Sequence, residues 1–398
     1  GHQFAQDLRI ASSFSAGLNF ILGAYYHVEK LDTSTEYRFF TDIDVDGDGN
    51  IDADDCAVDF LTACVYRNQF AQKKSSKALY ADLTYELGEL VTLRGGLRYT
   101  WDRGRLSDFK AQAIGIDGVP VANTIPGDPG NFDATTALRF SKGSVTGKVG
   151  VDLKLSPDHL LYASYSRGYR GSSFNSQAFF APDELTIAKP ETVDAFEIGA
   201  KTQFLDRRLT LNGAVFLYNY KNQQALSLIG VLQPLVNIPK SQIYGAELEL
   251  VVRPLDVLTL RGGAGYLHTE IRRGNISGAD LAGNRLPNAP TWSLNAAADL
   301  TILKKGADEL SLGINASYNT KQYFDLFNTQ RIAQPGYALV NAQASYSFGD
   351  GKYKAQIWGK NLFNRTYATS GLDISALGYD YFHLAESRTY GVTVEAKF

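Results

Sequence analysis

The last nine residues alternate with a period of two: Tyr390, Val392, Val394, Ala396 and Phe398 fall on one parity, Gly391, Thr393, Glu395 and Lys397 on the other. Side chains of an extended strand point alternately to opposite faces, so this spacing predicts a strand with one apolar and one polar face. The pattern recurs upstream. Val91, Leu93, Gly95, Leu97, Tyr99 and Trp101 alternate with Thr92, Arg94, Gly96, Arg98 and Thr100, and no charge falls on the apolar parity there. Leu209, Leu211, Gly213, Val215 and Leu217 alternate with Thr210 and Asn212, and Leu258, Leu260, Gly262, Ala264 and Tyr266 with Thr259 and Arg261. A sheet so patterned is either part of a soluble sandwich or a wall with lipid on one side and a wet lumen on the other.

The connections separate these two. Tight turns are expected at Leu87-Gly88-Glu89, Ser156-Pro157-Asp158, Leu205-Asp206-Arg207, Pro254-Leu255-Asp256, Lys305-Gly306-Ala307 and Gly349-Asp350-Gly351. Between them lie longer polar stretches near 34–68, 106–136, 178–190, 270–287, 326–333 and 370–386. Short and long connections that alternate put the tight turns on one rim and the long loops on the other, the asymmetry of an outer-membrane barrel. The expected fold is therefore all-β, an antiparallel transmembrane β-barrel with roughly 15 strands present. An odd count is half of a closure problem, because such barrels normally have an even number of strands with both termini at the short-turn rim. The last strand and a first strand near 3–13 would both descend, so a partner for the first is expected upstream of Gly1.

Composition agrees with a barrel and argues against other classes. No apolar run approaches the roughly 20 residues that a membrane helix needs. The mean hydropathy of −0.19 reads as soluble, but a barrel wall hides its apolar face in every second residue. The net charge of −3 comes without a Lys/Arg cluster suited to tracking phosphates, so no nucleic-acid partner is expected. The five histidines, His2, His27, His159, His268 and His383, have no metal spacing, and no Gly-x-Ser-x-Gly elbow is present, so no enzyme is expected. Met is absent from the chain, for which we have no physical account.

Three stretches carry a family resemblance. Tyr165-Ser166-Arg167-Gly168-Tyr169-Arg170-Gly171-Ser172-Ser173-Phe174-Asn175, with Lys189-Pro190-Glu191 and Phe196-Glu197-Ile198-Gly199-Ala200-Lys201 behind it, resembles the mid-barrel signature of TonB-dependent outer-membrane receptors. Tyr244-Gly245-Ala246-Glu247-Leu248-Glu249 resembles a later strand of that family. Gly359-Lys360-Asn361-Leu362-Phe363-Asn364-Arg365 with Tyr367 and the terminal Phe398 resembles its C-terminal motif. The resemblance implies residues 1–398 to be part of a 22-stranded barrel, in which the first strand here would be the eighth. It also implies a lumen plugged by an N-terminal domain and a ligand, a ferric siderophore or similar scarce nutrient, drawn inward when the TonB complex pulls on that plug. No plug-like segment or TonB-contacting box is found in these residues. The family would place the protein in the bacterial outer membrane, among lipid and lipopolysaccharide, with its loops extracellular and its C-terminus periplasmic. A passive channel or an ungated surface-adhesion scaffold is the competing function. If a ligand is an anionic, aromatic-bearing chelate, Arg167, Tyr169, Arg170, Phe174, Asn175 and Tyr218 near the upper strand ends have suitable chemistry.

The Asp-rich stretch inside the 34–68 loop has a chemistry of its own. Asp44, Asp46 and Asp48 occupy positions one, three and five of an EF-hand-like calcium loop, with Gly49 at the sharp turn and Ile51 at the apolar position. Asn50 would offer its carbonyl, Asp52 can serve at position nine and Asp55 closes the loop. Asp in place of Glu at the last position shortens the closing ligand, as in dockerin-type loops. The plain alternative is a solvated acidic loop. Cys56 and Cys64 follow directly and are the chain's two cysteines. An exported pair this close reads as a disulfide. One straight helix through both would hold them about 12 Å apart, beyond bonding reach, so either the helix breaks between them or they stay reduced.

Overall fold

The computed structural model describes residues 1–15, 17–38, 44, 47–50, 65–114, 132–134, 137–176, 178, 184–229 and 233–397. Asp46, Asp52, Asp55, the pair Cys56 and Cys64, and the terminal Phe398 lie outside the described residues.

Among the described residues, fifteen strands form one antiparallel wall in chain order, and a short further strand, Phe132–Ala134, pairs with the end of Val91–Ile114. They are β1 His2–Ala11, β2 Leu18–Arg38, β3 Val65–Leu87, β4 Val91–Ile114, β5 Leu138–Ser156, β6 His159–Arg170, β7 Glu191–Phe204 and β8 Leu209–Leu226. The wall continues through β9 Leu235–Leu255, β10 Leu258–Arg273, β11 Trp292–Lys305, β12 Asp308–Asn319, β13 Tyr337–Phe348, β14 Tyr353–Lys360 and β15 Thr389–Ala396. Every strand pairs with its sequence neighbour, and β1 and β15 do not pair with each other, so the wall is open along that seam. Among the described residues no helix is long and apolar enough to cross a membrane.

Connections alternate as expected. The short ones are 12–17, 88–90, 157–158, 205–208, 256–257, 306–307 and 349–352; the long ones are 39–64, 115–137, 171–190, 227–234, 274–291, 320–336 and 361–388. Two short turns place glycine where the backbone is left-handed, Gly88 at φ +66° and Gly306 at φ +62°, a conformation that costs glycine nothing. The long connection at 227–234 went unread in the sequence because Leu228, Ile229, Val231 and Leu232 give it the apolar composition of a strand despite Gly230 and Pro234. Two expected loops are shorter than read: β2, β3 and β4 run on to 38, back to 65 and on to 114, so polar residues at their upper ends are paired strand rather than loop. At about 3.3 Å per residue, β4 is about 80 Å long, far more than the tilted crossing of an apolar band about 25 Å tall requires. β2 to β4 therefore project well beyond it.

Residues paired across an antiparallel ladder share a face, so the register carries parity round the wall. One row links Leu79, Tyr99 and Val145; another links Val149, Tyr165, Phe196, Leu217 and Tyr244. This face is apolar and exposed, with Leu97 and Ile198 each at 62%. In water such a surface is unfavourable; against lipid it is the side that inserts. Aromatic pairs ring its upper edge, including Tyr99 with Trp101 at 4.4 Å, Tyr165 with Phe196 at 5.0 Å and Tyr266 with Trp292 at 5.0 Å. A second set, Phe348 stacked on Tyr353 at 5.4 Å, lies beside the short turns. Such girdles mark the two membrane interfaces of a barrel.

Candidate functional site

The opposite face lines the lumen, and its polar groups are paired with one another. Lys148 lies 3.0 Å from Asp82, Arg94 pairs with Asp152, and Arg261 pairs with Asp299. The Tyr80 hydroxyl donates to Asp7 at 2.8 Å, and the Arg98 guanidinium sits 5.2 Å from the Tyr25 ring and 5.6 Å from that of Tyr80. On the far side Tyr162 donates to Glu197 at 2.7 Å and Asn212 to Glu249 at 2.9 Å, bordering a wall recess of about 600 Å³ that also takes in Glu247 and Asn295. Strand alternation alone delivers this lining: every residue named is on the parity opposite to the apolar rows.

Above the lumen, two apolar clusters hold the long loops in place. In the first, Phe174 and Ala178 of the 171–190 loop pack against Phe70, Leu106 and Phe109 of β3 and β4. Phe174 lies 5.1 Å from the Phe140 ring. Asn68 donates to the Ser176 carbonyl at 2.9 Å and Asn175 to that of Glu184 at 2.8 Å, so the loop is tied to the wall as well as packed on it. In the second, Ile276, Leu281 and Leu286 of the 274–291 loop meet Leu326 of the 320–336 loop over Ile238 and Ile271. The two loops exchange hydrogen bonds through Arg285 and Asn328, at 2.8 and 2.9 Å. The 361–388 loop joins them: Arg331 pairs with Asp373 and lies 2.9 Å from Asp380, and Gln334 accepts the Ala368 N–H at 2.7 Å. Hydrogen bonding by Ser375, with Arg331 beside it, holds the Asp373 carboxyl below its ordinary value. Hydrogen bonds to Asp373 and Asp380 raise Arg331.

The six candidate ligand residues do not converge on one site. Arg170 lies at the top of the lumen, 4.0 Å from Glu191, within electrostatic range of Lys74, and Tyr218 lines the lumen wall lower down, stacked on Phe216 at 4.9 Å. Arg167 is a correction: the register pairs it with Gly147 and Asp194 on the outward face, where it lies 3.5 Å from Asp194, which also accepts from Tyr165 at 2.8 Å. Its parity with Leu161, Ala163 and Tyr165 was the signal that could have shown this. Tyr169 has a buried hydroxyl beside Asp102. Phe174 and Asn175 are at 7% and 3% exposure in the loop core, and so have no surface to offer. The unanticipated lumen residue is Lys74, on the same face as Asn68 and Tyr80.

The C-terminal motif has a structural task. Asn361, buried at φ +48°, takes its own N–H to Asn341, accepts from the Arg365 N–H at 2.8 Å and donates to the Arg365 carbonyl at 2.9 Å, which knots the exit from β14. In the Asp-rich loop, Asp44 accepts from the N–H groups of Gly47 and Gly49 at 2.6 and 2.9 Å, and Asp48 accepts from Asn50 at 2.7 Å. Gly47 and Gly49 are left-handed at φ +78° and +90°, so the chain curls tightly round Asp44. The described donors, Asp44, Asp48 and Asn50, are all oxygen ligands of the kind a hard cation takes.

A wall of this topology, with paired lumen charges and loops assembled over one mouth, can be set beside known proteins. The family model for the TonB dependent receptor-like β-barrel matches residues 2–362. The chain belongs to this family of TonB-dependent receptor barrels. The family is one of outer-membrane receptors and transporters, not of enzymes. Among curated relatives, the probable TonB-dependent siderophore receptor PiuA of Acinetobacter baumannii is 26% identical over 99% of this chain and 52% of its own length. The probable TonB-dependent receptor BfrD of Bordetella pertussis is 30% identical over 55% of this chain and 30% of its own. The chain thus spans about half or less of the length of these relatives. The crystal structure of the ferric yersiniabactin uptake receptor FyuA from Yersinia pestis superimposes with a TM-score of 0.76 at 19% identity, over all of this chain and 54% of that one. That of PiuA gives 0.70 at 21%, over 98% of this chain and 55% of that one.

Proposed function

We propose that this chain supplies the ligand-facing wall and loops of a receptor for active uptake of a ferric siderophore across the bacterial outer membrane. The observation that carries this is the assembly of three long loops over a charge-lined lumen, which makes a shaped mouth where an open pore would need none. The names of its relatives support the substrate class: PiuA is called a siderophore receptor, FyuA a ferric yersiniabactin receptor and Fiu a catecholate siderophore receptor. These are different chelates, so the class and not the individual ligand carries over. Arg170 and Lys74 at the upper lumen are the residues of choice for an anionic chelate, since both present cations to the interior. On this reading the long loops are extracellular, the short turns and C-terminus periplasmic, and the lumen holds a plug through which TonB acts, within a barrel of 22 strands.

The test is growth of a siderophore-receptor deletion strain on a panel of ferric chelates, rescued by the full-length receptor. Rescue by at least one chelate, abolished in a host without TonB and weakened by Arg170→Ala with Lys74→Ala, is expected. Rescue that persists without TonB would favour the passive channel.

The same reading extends to the Asp-rich loop, which by its position between β2 and β3 belongs to the extracellular rim. Asp44, Asp46, Asp48, Asn50, Asp52 and Asp55 form a structural Ca²⁺ site, supported by the anchored carboxylates of Asp44 and Asp48. Extracellular sites of this type bind at about 10⁻⁴ to 10⁻³ M. Cys56 and Cys64 would close a disulfide just behind it, which a mass shift on reduction and alkylation would report.

A further inference from the structure

The outward face of β2 to β5 carries six cations in three adjoining rows. The lowest row is Tyr26, Lys77, Trp101 and Gly143; the next is Val28, Ser75, Arg103 and Ser141; the highest is Lys30, Lys73, Arg105 and Arg139. No carboxylate stands in any of the three. All six cations are exposed, and among the described residues none makes an ion pair. Lys77 is held over the Tyr26 ring at 5.7 Å. Elsewhere near the upper edge of the apolar face some outward cations are neutralised, Arg167 against Asp194 and Arg272 2.9 Å from Glu270. Lys221 and Lys240, without an ion pair among the described residues, form a smaller group, directly opposite each other across two strands.

Height decides what these charges meet. Tyr26, Tyr99 and Trp101 belong to the upper aromatic edge. Same-face rows are about 6.6 Å apart along a strand, hence about 5 Å in height at a tilt near 40°. The row of Arg103 thus stands about 5 Å above Trp101, and that of Arg105 about 10 Å above it, at the depth of lipid headgroups rather than of acyl chains or bulk water. Across four strands spaced about 4.8 Å apart the rows are about 14 Å wide, broad enough for a headgroup with more than one phosphate. The lumen side of the same strands is already occupied, by the loop packed on Phe70, Leu106 and Phe109, so the cations cannot be serving the interior.

We infer that this face is a binding site for a phosphorylated glycolipid of the outer leaflet, with Tyr26 and Trp101 against its acyl chains and Lys30, Lys73, Lys77, Arg103, Arg105 and Arg139 around its phosphates. Arginine forks suit phosphate oxygens and lysines add point charge. The inference rests on the orientation given above, with the long loops outside the cell.

The test uses the full-length receptor, purified in mild detergent and titrated with bisphosphorylated lipid A while bound lipid is counted by native mass spectrometry. The comparison protein carries Lys30→Gln, Lys73→Gln, Arg105→Gln and Arg139→Gln, all exposed positions outside the lumen. The wild type is expected to retain lipid A, monophosphoryl lipid A to bind more weakly, and the quadruple variant to lose at least tenfold in apparent affinity. Equal affinity of wild type and variant, or equal binding of a zwitterionic phosphatidylcholine, overturns the site. Orientation is read separately, by labelling a Ser107→Cys variant on intact cells with an impermeant maleimide. Labelling without a charge effect refutes the lipid site alone, whereas absence of labelling overturns the orientation and the lipid site with it.

Discussion

Leu97 tests the architecture most directly. It lies on β4, six residues above Val91 at the short-turn rim, which at about 3.3 Å per residue and a 40° tilt is about 15 Å up an apolar band about 25 Å tall. Its side chain is on the outward parity, between Gly95 and Tyr99, whereas its chain neighbours Gly96 and Arg98 face the lumen. Leu97→Arg would put a guanidinium near the middle of the bilayer, at about 2–4 kcal/mol. The same exchange at Leu87, an outward residue next to the turn at 88–90, should cost about 0–1 kcal/mol, because an arginine at the interface reaches water. The assay is refolding of the full-length receptor from urea into lipid vesicles, with the folded fraction read from heat-modifiable gel mobility across a urea series. A midpoint shift for Leu97→Arg no larger than that for Leu87→Arg would refute the assignment of this face to lipid.

Three further outcomes follow from the loops. Ile271→Ala removes a fully buried side chain from under the 274–291 and 320–336 loops. A local loss of about 2–5 kcal/mol is expected, seen as faster proteinase K cleavage within these loops while the wall strands stay protected. The pairing of Arg331 with Asp373 should respond to acid. Because the folded Asp373 carboxyl is held below its ordinary value of 3.8, its stabilising effect is complete above that value and disappears as pH falls through the lower, folded one. Hydrogen exchange in 361–388 should therefore be constant from pH 7 to about 4.5, after correction for intrinsic rates, and rise only in stronger acid. Loosening that begins near pH 6 would point to another group. Terbium luminescence of the full-length receptor should show a cation site that Asp44→Ala together with Asp48→Ala abolishes, and unchanged luminescence would leave the loop as a solvated acidic segment.

Much of the wall was legible because strand alternation is a local code. Leu93, Leu97, Tyr99 and Trp101 occur at every second or fourth position, and no distant contact is needed to know that they share a face. The turns at 88–90, 157–158, 205–208, 256–257, 306–307 and 349–352 were legible for the same reason, since the alternation breaks there. Arg167 shows a local signal passed over: its residue type suggested a ligand contact, when its period-two partners Leu161, Ala163 and Tyr165 put it on the outward face. Phe174 and Asn175 could not have been placed this way. Their partners Phe70, Phe140 and Glu184 are brought to them by the fold, and a loop residue carries no periodicity from which to infer burial.

By itself the sequence determined the parity of each strand, the alternation of short and long connections, and hence a lipid-facing wall with a polar interior. Register, and with it everything that depends on strands meeting side by side, was decided only in the tertiary structure. Lys30, Lys73, Arg105 and Arg139 are scattered over more than a hundred residues of chain and become one row only because β2, β3, β4 and β5 pair in one particular alignment. The loop clusters on Ile271 and Phe109 are likewise products of closure in space. Hydrophobic burial is non-directional, so which apolar residues find one another depends on what the wall has already brought within reach.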